Sequence, residues 1–155
     1  MSTGKLKDEL KKKNEFDSPC QEAILNILRT SDVFHNAIGR LLREYGLTQS
    51  QYNVLRILRG EGTPMPCQEI SNRMIQVVPA MTGLLDRLEA QDYIVRERSA
   101  EDRRSVFISL TERATEVLSM IDQPIEQMHE ALIGHLNEEE LKELSRLLEK
   151  ARTAG

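Results

Sequence analysis

The stretch from Val77 to Thr111 constrains the fold most, because its periodicity changes from helical to extended within one short segment. Its first part carries an apolar stripe at helical spacing, made of Met81, Leu84, Leu85 and Leu88. Residues 92–96 are rich in β-forming side chains, and residues 105–110 alternate between polar and apolar. The loop 97–104 has no apolar side chain except Ala100. The stretch therefore predicts a helix followed by a β-hairpin with a solvated tip.

Capping residues predict where several helices begin. Ser18 is expected to open a long helix that reaches about residue 46, with Glu22 completing a capping box. Thr48 opens the next helix, with Gln51 three residues later as its box partner. Pro79 suits the first turn of the helix that runs to about residue 91.

The C-terminal part of the chain is predicted to form two more helices. Thr111 caps the first, in which Pro124 is expected to cause a break or a kink, because proline lacks the backbone N–H. Asn137 begins the second, which carries leucines on one face. A helix as long as that in residues 18–46 is longer than its own core requires, so we expect another surface, often a second subunit, to cover it.

The composition narrows the class of protein. The chain has 155 residues, 4% aromatic residues and no tryptophan, which predicts one domain with an aliphatic core of packed helices. No apolar run is long enough for a membrane span, and the lysine-rich N-terminus lacks the apolar region of a secretory signal. We therefore expect a cytoplasmic protein. The net charge of −4 argues against indiscriminate nucleic-acid binding but leaves specific binding open.

The predicted fold is mainly α with a small β-hairpin. Residues 1–17 are interpreted as a mobile basic arm, or as the frayed start of a helix. Residues 47–111 form a central unit of short helices and the hairpin, and residues 18–46 and 112–155 supply the flanking helices.

Five segments together resemble the MarR family of winged helix-turn-helix regulators. They are LTQSQYNVL at 47–55, QEISNR at 68–73, TGLLDRLE at 82–89, DRRSV at 102–106 and SLTE at 109–112. The resemblance implies a homodimer that is held together by the flanking helices and binds a pseudo-palindromic DNA operator, usually to block transcription. It also implies release of the DNA by a small aromatic or other effector ligand, or by an oxidant. Because the sequence has no glycine-rich phosphate loop, no nucleophile motif and no paired carboxylates in a predictable cleft, we expect no enzymatic activity and no cofactor.

The resemblance assigns DNA contacts to the tip of the hairpin, the wing. Arg104 would enter the minor groove with Asp102 orienting it, and Arg103 would contact a phosphate. A narrow minor groove is strongly negative and attracts an inserted arginine. The alternative is a solvated hairpin tip in which Arg104 merely pairs with Asp102.

The segment around the predicted recognition helix offers short side chains for most contacts. Pro79, Ala80 and Thr82 are candidates for thymine methyl groups, and Gln76 for a base or a phosphate. Arg87 is interpreted either as a phosphate ligand or as a brace to the wing through Asp102. Arg73 is a phosphate candidate, with an ordinary surface role as the alternative.

The sequence does not decide what would release the protein from DNA. Cys67 lies near a helix N-terminus, where a thiolate is favoured, and Cys20 lies at the start of the first long helix; either is a redox candidate, and a small structural residue is the alternative. The histidines are too scattered to predict a metal site. Methionines could line a ligand pocket or belong to the core: Met65, Met74, Met81, Met120 and Met128. A winged helix that docks a protein partner and does not bind DNA is the alternative function.

Overall fold

The computed structural model describes residues 5–153 and divides into two compact units between Ile38 and Gly39. The fold is mainly α with a small antiparallel sheet, as predicted. The helices are α1 (Lys5–Glu9), α2 (Pro19–Arg43), α3 (Gln49–Glu61), α4 (Cys67–Asn72), α5 (Met81–Ala90), α6 (Glu112–Ile133) and α7 (Glu138–Arg152). The strands are β1 (Met65–Pro66), β2 (Ile94–Arg98) and β3 (Val106–Leu110).

The N-terminal segment contains a short helix, α1. Helix α1 forms within the range 1–17, and its Leu6 is buried. Lys7 pairs with Glu15 across the turn that follows α1. Helix α1 thus forms within the range that the sequence indicates as a mobile basic arm or as the frayed start of a helix, and burial of its apolar side chain stabilises it. Residues 1–4 lie outside the described part of the chain.

Helix α2 begins where predicted, but the side chain that bonds at its N-terminus is that of Gln21 and not that of Glu22. The Gln21 N–H donates to Ser18 Oγ at 3.1 Å, and the Asp17 N–H donates to Gln21 Oε1 at 2.7 Å. The predicted box with Glu22 is wrong, because Glu22 lies four residues after Ser18. Gln21 lies three residues after the cap, and its side chain accepts from Asp17, the residue before the cap.

Helix α3 has the capping box that the sequence predicts. The Gln51 N–H donates to Thr48 Oγ1 at 3.1 Å, and the Thr48 N–H donates to Gln51 Oε1 at 3.0 Å. The helix ends at Gly62, whose φ of 76° lies in the left-handed region that glycine adopts without strain. The core of the second unit packs around this helix, where Val54 and Leu55 are completely buried.

The hairpin of β2 and β3 forms as predicted, with Arg96 opposite Ile108. A third strand, β1, pairs with the other edge of β3 and places Met65 opposite Ile108. This strand is only two residues long, which is too short to show a strand pattern in the sequence. The order β1-β3-β2 makes β3 the centre of the sheet.

Helix α6 runs through Pro124 without a break, so of the two expected effects, a break or a kink, the break does not occur. Ile121 and Ile125 on either side are buried, so packing of the flanking turns offsets the lost backbone hydrogen bond. Helix α7 starts at Asn137, whose Oδ1 accepts from the Glu140 N–H at 2.8 Å. No residue of α7 is buried.

Candidate nucleic-acid interface

The turn between α4 and α5 positions the start of the recognition helix. Helix α5 begins at Met81 rather than at Pro79, so the predicted start is two residues early. Pro79 and Ala80 form the turn before it, and the backbone of Ala80 has the non-helical angles φ −120° and ψ 61°. Thr82 is exposed on the first helical turn. These small residues remain available for close approach to a groove.

The side chain of Asn53 on α3 holds this turn in place. From the sequence alone, Asn53 is not identified as a site residue. Its side chain is 8% exposed, and its Oδ1 accepts from the Ile75 N–H at 2.9 Å. A buried acceptor that satisfies a loop N–H ties the turn to α3. A polar residue within the buried face of α3 was the only available signal.

Arg96 connects the wing to the recognition helix. Its Nη2 lies 2.6 Å from Asp86 Oδ1 and 2.8 Å from Glu89 Oε1. Its hydrogen bonds lower the pKa of the Glu89 carboxyl and, together with those to Asp86, raise the pKa of Arg96 itself. Arg96 therefore neutralises two carboxylates on the helix that would otherwise repel phosphates.

Asp102 shapes the backbone of the wing tip. Its Oδ1 accepts from the Arg104 N–H at 3.0 Å, and its Oδ2 accepts from the Ser105 hydroxyl at 3.2 Å. The side-chain pair of Asp102 and Arg104, predicted as the alternative reading, does not form among the described residues. Asp102 instead holds the turn from which Arg104 extends, in the manner of an Asx turn.

The wing tip presents its cations to solvent. Arg103 and Arg104 are both exposed, and neither guanidinium has a partner among residues 5–153. Arg98 Nη1 donates to the Arg103 carbonyl at 2.8 Å, which closes the base of the tip. Two unpaired guanidinium groups on a braced loop suit contact with phosphate or a negative groove.

The other two predicted arginines differ in their surroundings. Arg73 binds Glu61 at 2.6 Å and Glu69 at 3.0 Å, and these hydrogen bonds raise its pKa. The surface role therefore fits Arg73 better than phosphate binding, since its charge is already compensated. Arg87 is exposed and has no ion pair in the described part of the chain, so the brace to Asp102 does not form there, and the phosphate contact stays a prediction. Gln76 is exposed on the turn.

The residues that are candidates for sensing an oxidant or a ligand lie in different elements of the fold. Cys20 is exposed and Cys67, the first residue of α4, is half-buried; both are free thiols. Met65 and Met81 belong to the core, while Met120 is 61% exposed. Within residues 5–153, no cluster of histidine, cysteine and carboxylate side chains could hold a metal ion. None of the described helices is both long and apolar enough to cross a membrane.

Comparison with known proteins decides the family. A model of the MarR family matches residues 47–106, which contain helices α3 to α5, strands β1 and β2 and the tip of the wing. The transcriptional regulator MgrA of Staphylococcus aureus is 33% identical over 112 residues, covering 72% of this chain and 74% of MgrA. The chain belongs to the MarR family. It is therefore a transcriptional regulator and not an enzyme.

Solved structures of MarR-family proteins have the same fold. The MarR transcription factor of Planctomyces limnophilus is 37% identical, with a TM-score of 0.67 over 87% of this chain and 98% of that one. BpsR of Bordetella bronchiseptica, whose DNA binding is regulated by 6-hydroxynicotinic acid, is 22% identical with a TM-score of 0.78; the match covers 92% of this chain and 100% of BpsR. At that identity the likeness to BpsR concerns the fold alone.

Proposed function

We propose that this MarR-family regulator is a homodimeric repressor that binds a pseudo-palindromic operator in the cytoplasm and is released by a small aromatic ligand. The observation that carries the proposal is the wing tip, where Arg103 and Arg104 extend unpaired from a turn that Asp102 holds. Arg96 supports the same geometry by fixing the wing to α5. Arg104 enters the minor groove and Arg103 contacts phosphate, while the start of α5 faces the major groove.

The apolar surfaces of the long helices support the dimer. Helix α7 has no buried residue, yet Leu144 and Leu147 lie on its apolar face, 36% and 49% exposed. Helix α2 exposes a second apolar set, made of Ile24, Ile27, Leu28 and Val33. Such faces are stable in water when another surface covers them, and a second copy of the chain supplies the same helices.

The effector class rests on a relative. BpsR responds to an aromatic acid, and an aromatic ligand of this kind is our proposal for the present regulator. An oxidant that acts on Cys20 is the second candidate, because this thiol is exposed. Measuring operator affinity with aromatic acids and with hydrogen peroxide, on the wild type and on Cys20→Ser, separates the two triggers.

Arg104→Ala tests the proposed role of the wing. DNA duplexes that contain an operator are first selected from a random pool with the wild-type protein. We expect the variant to lose about tenfold or more in operator affinity, equivalent to ~1–3 kcal/mol for a lost groove contact. Its thermal unfolding and its sedimentation should stay unchanged, because the Arg104 side chain is exposed and unpaired in the described part of the chain.

Arg56→Ala is the matched control, since Arg56 is exposed on α3, away from the wing. Equal operator affinity of Arg104→Ala and Arg56→Ala contradicts the assignment of Arg104. A salt titration of the wild type tests the alternative of a protein-docking module. Binding through several phosphates must weaken steeply as salt rises, whereas an affinity for DNA that is weak and independent of sequence would favour the docking module.

A further inference from the structure

We infer that Ile75 and Val77 read thymine methyl groups in the major groove of each half-site. The inference rests on the proposed operator binding and adds a specificity-determining surface to it. Val77 is 94% exposed and Ile75 is 81% exposed, the highest values among the large apolar side chains of residues 5–153. Two large apolar side chains exposed this completely, two positions apart on one turn, form an apolar surface that a binding partner could cover.

The position of these side chains identifies what covers them. They lie on the turn that leads into α5, and the first residues of a recognition helix face the base edges when the helix lies in the major groove. The dimer faces of α2 and α7 belong to other elements of the chain. The surface is therefore continuous with the DNA-facing start of α5 and with its exposed Thr82.

The turn is ordered before any ligand arrives. The Ile75 N–H donates to the buried Asn53 side chain, and the neighbouring Val78 is half-buried. The chain therefore presents Ile75 and Val77 on a fixed backbone. A surface held in its binding conformation loses little conformational freedom on association.

The chemistry of the turn selects the base. No lysine or arginine occurs between Arg73 and Arg87, so the turn itself offers no guanidinium fork to the two acceptors of guanine. Asp86 is occupied by Arg96. The remaining surface is chiefly apolar, and the C5 methyl of thymine is the apolar group that the major groove displays. Burial of valine and isoleucine against these methyl groups favours thymine over cytosine.

Replacement of thymine by uracil tests the inference, because uracil lacks only this methyl group. Full-length dimer is titrated with the selected operator and with duplexes carrying a single deoxyuridine at each thymine protected in the major groove. We expect about a fourfold loss of affinity at each contacted position, which corresponds to ~0.8 kcal/mol for one buried methylene-sized group. Val77→Ala should reduce the ratio of thymine to uracil affinity towards one at the position it contacts, and Ile75→Ala should do so at another.

Val95→Ala is the matched control, because Val95 is an exposed valine on β2 that lies outside the turn. It should retain the wild-type ratio of thymine to uracil affinity. Equal wild-type affinity for thymine and uracil at every protected position overturns the inference. If binding then still weakens steeply with salt, the proposed function stands. The inference is also overturned if the double variant of Ile75→Ala and Val77→Ala keeps the full preference for thymine over uracil. If the wild-type protein binds none of the selected duplexes, both the proposed function and the inference are wrong.

Discussion

At the scale of single residues, Asp102 supports the wing through its backbone contacts. It accepts from the Arg104 N–H and from the Ser105 hydroxyl, both within the tip. A carboxylate is not required for these contacts, since an amide oxygen accepts equally well and an amide nitrogen can donate to a hydroxyl. The role of Asp102 therefore depends on hydrogen bonding and much less on its charge.

Asp102→Asn and Asp102→Ala together test whether the hydrogen bonds of Asp102 or its negative charge support the wing. We expect the alanine variant to lose about fivefold in operator affinity, since each hydrogen bond that holds the turn contributes ~1 kcal/mol. The asparagine variant should stay near the wild type. Fluorescence anisotropy with the selected operator measures both, and equal losses in the two variants would show that the negative charge itself matters.

At the scale of elements, the wing and the recognition helix are joined by ion pairs of Arg96. The Glu89 carboxylate is part of this junction, and its pKa is lowered from 4.5 by its hydrogen bond with Arg96. A carboxyl whose pKa is lower in the folded state contributes stability above its unfolded pKa. That contribution is lost as the pH falls through the lowered value.

The junction therefore predicts a difference in pH dependence. Glu89→Gln keeps an acceptor for Arg96 but cannot titrate, so the wild type should be the more stable of the two near neutral pH. The difference should shrink as the pH falls from about 7 to about 3. Thermal unfolding across this range measures it. A difference that stays constant with pH would exclude a contribution from the charge of Glu89.

Helix α5 contains Gly83, which is unfavourable for stability in the interior of a helix. A β-carbon placed there meets only Arg87 Nη1 at 3.8 Å, an ordinary contact. We expect Gly83→Ala to raise the free energy of unfolding by ~0.5–1 kcal/mol, because alanine loses less backbone entropy.

The same variant tests how closely α5 approaches the DNA. If the helix seats deeply in the major groove, the added methyl should lower operator affinity while the protein becomes more stable. Chemical denaturation and anisotropy measure the two effects separately. Unchanged affinity in the stabilised variant would mean that Gly83 does not limit the approach.

At the scale of the whole molecule, the proposed dimer would set the distance between two recognition units. Two half-sites about one DNA turn apart are contacted together only when the two units are fixed relative to each other. Leu147→Glu places a charge in the apolar face of α7, where burial against a second copy would be costly. We expect a folded monomer with a large loss of operator affinity, measured by analytical ultracentrifugation and anisotropy.

Lys142→Glu on the same helix is the control, because the Lys142 side chain is 74% exposed and lies on the side of α7 opposite Leu144. It introduces the same side chain and should leave the dimer intact. A Leu147→Glu protein that still sediments as a dimer would place the interface elsewhere. Circular dichroism confirms that both variants retain their helices.

Local rules predicted much of this protein from its sequence. The capping box of Thr48 and Gln51 and the hairpin of β2 and β3 both formed where they were predicted. Both depend on residues that are near neighbours in the chain or on a strict alternation of side chains. The exposed arginines of the wing were also predicted, since a loop without apolar side chains has nothing to bury.

Only the tertiary structure decided which partner each polar side chain meets. Asn53 bonds to Ile75, 22 positions away, and Arg59 forms a double hydrogen bond with Asp122, 63 positions away. The tertiary structure also explains why α6 continues through Pro124, where the sequence predicts a break or a kink: the turns on either side are buried. Periodicity describes the face of an element that is buried, whereas the contacts across that face depend on which elements meet. The sequence thus determined the family, the helices and the wing, while packing determined how the wing and α5 are held relative to each other.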